Sequence, residues 1–250
     1  MHKISALPIL LLLGLLPLLS AAVHAEAIQV QATQDEQALD AAAQKAALAS
    51  IKGAFDRHPC VRAKLVKKVD DPLGLMPSVE QGELLVKRPD RILRRYFKND
   101  VPQKAVLLQG TNSLTYNPAT KLIQVKDYAQ APRYLQLMRA GGTGDMETLQ
   151  LYYDLKVFEK TGSKPRQWRL LLEHRRGPLP YKRIQARVTE EQPFFSEIVY
   201  EYGNAADGDN KTETFTEIAA LADLPDKAFD DPMLRGAKEP PEAVQEIEKE

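Results

Sequence analysis

Residues 81–118 read QGELLVKRPDRILRRYFKNDVPQKAVLLQGTNSLTYNP, and this stretch decides the fold. Residues 82–87 (GELLVK), 91–97 (RILRRYF) and 104–109 (KAVLLQ) are short, rich in branched and aromatic residues, and bounded by turn formers. Gln109-Gly110-Thr111-Asn112 turns the chain into a further strand at 113–116, and Asn117-Pro118 turns it again into 122–125. Short strands joined by tight turns predict an antiparallel meander.

Upstream, Val61, Ala63 and Leu65 alternate with polar residues, the period of a strand. Asp70-Asp71-Pro72-Leu73-Gly74 is turn chemistry. Residues 26–54 are dominated by Ala, Gln, Leu, Lys and Glu and predict a helix. Thr33 with Glu36 forms a capping-box pattern, and Gly53 and His58-Pro59 end the helix. Downstream, residues 134–138 and 146–158 predict two short helices joined by a hinge at Gly141-Gly142-Thr143-Gly144. That glycine cluster lacks the Lys-Ser/Thr ending of a phosphate loop. Strands return at 168–173, 181–188, 195–202 and 212–218.

This order predicts an α+β, mainly β chain: a single curled antiparallel sheet, with helices covering its concave face. Several strands are apolar on both faces. Trp168, Leu170 and Leu172 point one way and Leu171 the other. A sheet with one solvated face alternates more cleanly. The pattern fits a cavity inside the curl, and it fits a packed core equally well.

The chain has 250 residues, with 34 Lys+Arg against 34 Asp+Glu, 44% hydrophobic and 27% charged. A zero balance argues against nucleic acid, whose phosphates demand a basic face, and against a polybasic membrane-surface protein. Much of the grease sits at residues 1–25. Lys3 is followed by an apolar run at 7–19 and by Val23-His24-Ala25, the pattern of a cleaved signal peptide. Thirteen helical residues rise about 20 Å, short of the roughly 30 Å hydrocarbon core. Export to the periplasm follows, with a carrier-sized domain at 26–237 and an acidic, Pro-rich, frayed tail at 238–250.

Little catalytic chemistry is visible. Cys60 is the only cysteine, so no intramolecular disulfide forms, and it reads as a small buried hydrophobe. His58 and His174 stand apart, and no metal-ligand spacing, nucleophile elbow or carboxylate pair is visible. The sequence predicts no enzyme, no cofactor and no metal site.

The ordered set Gln81-Gly82, Lys87-Arg88-Pro89, Tyr96, Pro102, Gly110 and Tyr116-Asn117-Pro118 resembles the LolA family of periplasmic lipoprotein carriers. The resemblance extends over 41–231 by element order, with Thr214-Phe215 and the ending Leu224-Pro225-Asp226-Lys227-Ala228-Phe229. It implies an incomplete β-barrel with an N-terminal helix, short lid helices and an apolar cavity for acyl chains. It also implies that Arg88 latches the lid through backbone carbonyls. Tyr134, Leu135, Leu137 and Met138 of the lid would then face a cavity lined by Leu84, Val86, Ile92, Tyr96, Leu107, Tyr116, Ile123 and Val125. Where the family carries aromatics two residues apart, this chain has Ile92 and Arg94. Arg94 therefore sits at the cavity rim or meets a polar or anionic head group, because a buried unpaired guanidinium is costly.

The implied function is a monomeric carrier of acylated lipoprotein or lipid. It would take cargo from an inner-membrane donor complex and pass it to an outer-membrane acceptor. Two other expectations fit the same shape: a paralogue carrying a lipid other than lipoprotein, and an envelope module that senses lipids or proteins.

Overall fold

In the computed structural model the meander is present strand for strand. The structure describes residues 35–70, 76–118, 120–127, 150–175, 181–203 and 209–235, and the backbone of 242–243. In chain order the elements are β1 (Glu36–Ala38), α1 (Ala41–Arg57), β2 (Cys60–Val69), β3 (Ser78–Lys87), β4 (Arg91–Lys98), β5 (Val101–Gln109), β6 (Asn112–Asn117), β7 (Leu122–Asp127), β8 (Tyr153–Lys160), β9 (Gln167–His174), β10 (Tyr181–Thr189), β11 (Glu197–Tyr202), β12 (Lys211–Leu221) and β13 (Glu242–Ala243). These strands form one sheet in the order β1-β8-β9-β10-β11-β12-β2-β3-β4-β5-β6-β7-β13. Every pairing is antiparallel except that of β13 with β7. The two runs β2–β7 and β8–β12 join where β12 pairs with β2, Phe215 opposite Leu65. The edge strands β1 and β13 do not pair with each other, so the sheet is an unclosed, incomplete barrel with one long helix.

Local chemistry explains the turns. Asn99 and Asp100, between β4 and β5, both have positive φ (51° and 61°), as a two-residue hairpin turn of this hand requires. Gly82 sits opposite Tyr96 on β4, and a Cβ there would lie 2.4 Å from the Arg95 carbonyl oxygen. No larger residue fits between these strands.

Two elements differ from the sequence reading. Residues 36–38 form β1 rather than helix, paired with Phe158–Lys160 of β8. The Glu36 carboxylate accepts from Arg169 at 2.7 Å and from Arg187 at 3.3 Å, which holds the segment on the sheet. The helix starts later, at Ala41, capped by the Asp40 carboxylate accepting from the Ala43 amide at 2.8 Å. It runs through Gly53 and ends at Arg57. Residues 153–158, expected at the end of a helix over 146–158, instead belong to β8, held between β1 and β9. Residues 1–34, including the apolar run, and 128–149, including Tyr134, Leu135, Leu137, Met138 and the glycine cluster, lie outside the described residues, as does most of the tail. Among the described residues no helix is long and apolar enough to cross a membrane.

The apolarity of both faces has a structural cause. On the face toward α1, called inner here, Ala47, Ile51 and Phe55 of the helix pack on Val61, Ala63, Leu84, Val86, Leu170 and Phe215. On the outer face, Cys60, Leu85, Leu93, Ala105 and Leu107 are covered by Leu224, Phe229 and Leu234 of the chain after β12. That segment contains two short 3-10 turns, Asp226–Phe229 and Pro232–Leu234. Each buried Leu or Phe contributes roughly 1.5–3 kcal/mol. For β3–β5 the second greasy face is therefore packed by the C-terminal segment.

Candidate functional site

The inner face changes character along the strands. Near the C-terminal end of α1 it is closed by an aromatic cluster, in which Phe55 meets Phe195 at 5.2 Å and Phe194 meets Phe215 at 5.0 Å between centroids. At the other end of the same strands the inward positions turn polar. On β2 the sequence Val61, Ala63, Leu65 continues in phase with Lys67, and on β12 Phe215 gives way to Glu213 and Lys211. Opposite them stand Glu80 on β3, Arg94 and Tyr96 on β4, and Lys104 on β5. The result is a strip of charge and tyrosine across β10 to β5.

Its fixed centre is the Arg94–Glu213 pair, at 3.1 Å, with Glu213 only 1% exposed and Arg94 20% exposed. Burial works most strongly against the guanidinium charge, but Glu213, Tyr96 and Tyr200 together outweigh it and hold Arg94 above its usual range. Burial pushes the Tyr96 phenol up to about 12 and Tyr200 well up. Lys67 pairs with Glu80 at 2.8 Å. Lys211 donates to the Tyr181 hydroxyl at 3.0 Å and lies 4.3 Å over the Tyr200 ring. Lys67 and Lys104 each lie 5.6 Å from the Tyr96 ring centroid.

A cavity of about 760 Å³ opens beside this strip, lined by Glu80, Lys104, Thr115, Leu122, Gln124 and neighbours on β6 and β7. On β5, next to the β6 wall of this cavity, Val106 and Leu108 are only partly covered, although they border the core, as are Ile184 and Tyr200 elsewhere on the inner face.

The expected cavity residues divide between the two faces. Leu84, Val86, Ile92 and Tyr96 belong to the inner core. Leu107, Tyr116 and Ile123 belong to the outer cluster, and Val125, opposite Leu114, shares that face. Leu107 is therefore corrected: it packs against the C-terminal segment, whereas Tyr116, Ile123 and Val125 line the cavity of about 760 Å³ from the other face of β6 and β7. The cause is parity. On β5 the inward residues are Val106 and Leu108, one place from Leu107. Arg94 is neither a bare rim charge nor unpaired. Arg88 does hold backbone carbonyls, but those of His58, at 2.6 Å, and Pro193, at 2.8 Å, while stacking 4.7 Å over Phe55. It staples the end of α1 to the β10–β11 connection, and burial lowers its pKa to about 10. Sequence reading missed Lys67, Lys104, Lys211 and Glu213; the signal was charge placed in phase with the apolar residues of the same strands. Among the described residues no cluster of His, Cys, Asp and Glu is placed to hold a metal.

No family model matches the chain, and no curated protein matches it. Its architecture is a single unclosed, almost wholly antiparallel sheet with one long helix packed on its inner face. Among solved structures it is similar to a DUF1329 family protein from Desulfovibrio piger, with 14% identity, 76% of this chain and 98% of that chain covered, and a TM-score of 0.44. It is also similar to a LolA superfamily protein from Nitrosomonas europaea, at 12% identity, 74% and 96% coverage and a TM-score of 0.40. A third is MucB in its complex with MucA from Pseudomonas aeruginosa, at 13%, 74% and 59%, with a TM-score of 0.42. These are likenesses of fold, and no residue role is carried across from them.

Proposed function

We propose that this chain is an exported, non-enzymatic binding protein that holds an acylated lipid or lipoprotein against the inner face of its incomplete barrel. In this reading it carries that cargo through the periplasm, from an inner-membrane donor to an outer-membrane acceptor. The carrying observation is a stretch of inner face that α1 leaves only partly covered among the described residues. There Val106 and Leu108 on β5 remain partly exposed, one strand from the β6 wall of a cavity of about 760 Å³. Each CH₂ of an acyl chain that covers such surface contributes about 0.8 kcal/mol. The ionisable groups beside it are engaged in ion pairs and ring contacts, which suits holding a ligand better than turning one over. The apolar run at 7–19 and Val23-His24-Ala25 support export by a cleaved signal.

Native mass spectrometry of the protein purified from a periplasmic extract tests this reading. The expected spectrum contains adducts of acylated mass that exchange on adding detergent. A spectrum of bare protein, or of protein with a tight polypeptide partner and no lipid, would overturn the carrier and favour an envelope sensor of the same shape.

A further inference from the structure

The polar strip has a charge imbalance that its internal pairs leave in place. Four cations converge on it, Lys67, Arg94, Lys104 and Lys211, against the carboxylates Glu80 and Glu213. The two carboxylates are taken, Glu80 by Lys67 and Glu213 by Arg94. Lys211 donates to a tyrosine hydroxyl, and Lys104 has only the face of Tyr96 among the described residues. The arrangement is not relaxed. Burial depresses the charge on Lys104, and repulsion from Lys67 and Lys211 depresses it further, with Glu80 opposing. Burial does the same to Lys211, where Arg94 and Lys67 add repulsion against the pull of Glu213. Partly dehydrated ammonium groups that repel one another are costly unless an anion joins them. Lys104 stands on β5 beside the strand of Arg94, Lys211 on β12 two residues from Glu213, and Lys104 lines the cavity. Glu213 Oε2 is buried with no hydrogen-bond partner and would repel an anion, so the seat lies on the lysines rather than on that carboxylate.

From this we infer that Lys104 and Lys211 form a subsite for a phosphate group, placed so that the phosphate-bearing head of an amphiphile rests on the strip while its chains lie on Val106 and Leu108. A phosphate suits donors spread across several strands, because it presents several oxygens in different directions. The inference rests on the binding-protein reading above and adds the head-group class to it. The same chemistry could be met by free inorganic phosphate, and the test separates the two sources.

The test is calorimetric titration of the full mature chain with dioctanoyl phosphatidylglycerol, with dioctanoylglycerol and with inorganic phosphate, each with wild type, the double variant Lys104→Gln/Lys211→Gln and the outer-face control Lys156→Gln. The expected result is phosphatidylglycerol binding at least about tenfold tighter than dioctanoylglycerol, as charge-assisted hydrogen bonds imply. The double variant should bring the two lipids to equal affinity without weakening dioctanoylglycerol, and the control should change nothing. If the double variant does not fold, Lys104→Gln alone should still reduce the preference at least about threefold. Equal affinities in wild type would overturn the phosphate subsite and leave the lipid carrier standing. A preference that survives the double variant would also overturn the subsite. Phosphate binding that the double variant abolishes, with neither lipid bound, would keep the subsite and overturn the carrier. Binding of none of the three would overturn both.

Discussion

Arg88 shows how much one side chain can hold. Its guanidinium donates to the carbonyls of His58 and Pro193, from two segments 135 residues apart in sequence, and it covers Phe55. Removing it would leave two half-buried carbonyls without their donor, each costing about 1–3 kcal/mol. Arg88→Leu is therefore expected to lower unfolding free energy by about 2–4 kcal/mol in urea denaturation. Arg88→Lys should recover less than half, because one ammonium cannot span both carbonyls as a fork does. A Leu variant as stable as wild type would remove the staple. Arg94 makes the complementary case. Its cost of burial is met by Glu213 on β12, a partner 119 residues away that no local pattern reveals.

At the scale of elements, the segment after β12 acts as a clasp on the outer face. Phe229 and Leu234 bury against Leu93 and Leu107. Arg95 binds the Asp231 carboxylate at 2.6 Å and the Ala228 carbonyl at 3.1 Å, and Lys87 reaches the Leu224 carbonyl at 2.7 Å. Phe229→Ala should cost about 3–5 kcal/mol, the range for emptying a buried aromatic site. In hydrogen exchange it should lose amide protection at 224–234 before it loses protection in β9. Uniform loss would show that the clasp and the sheet unfold as one. The strands β2 to β7 were legible because each pairs with its sequence neighbour across a tight turn, so local signals suffice. β1 was not, because its partner β8 is more than a hundred residues away; β8 was not, although β9 follows it directly. Residues 36–38 have helix-forming composition and become a strand only because Glu36 meets Arg169 and Arg187. Residues 153–160 alternate too weakly to reveal that β1 and β9 enclose them. The face of Leu107 and Tyr116 was lost to a one-residue change of parity, and the clasp that covers them comes from the far end of the chain.

For the whole molecule, net charge conceals more than it tells. The chain sums to zero over 250 residues, yet its charges are sorted. Surplus cations gather on the inner face beside the cavity, while the C-terminal clasp places its acids on the outer face against Lys87, Arg91 and Arg95. Among the described residues the outer face of β3–β5 is covered by the chain's own C-terminal segment, while the inner face is apolar toward α1 and cationic beyond. The central claim is that cargo lies on that inner face. Site-specific photo-crosslinking in the periplasm tests it most directly, with a photoreactive side chain at Val106, inward on β5, and in a separate variant at Lys156, outward on β8. The account predicts an acylated adduct from position 106 and none from position 156. Adducts from 156 alone, or from neither position, would contradict it.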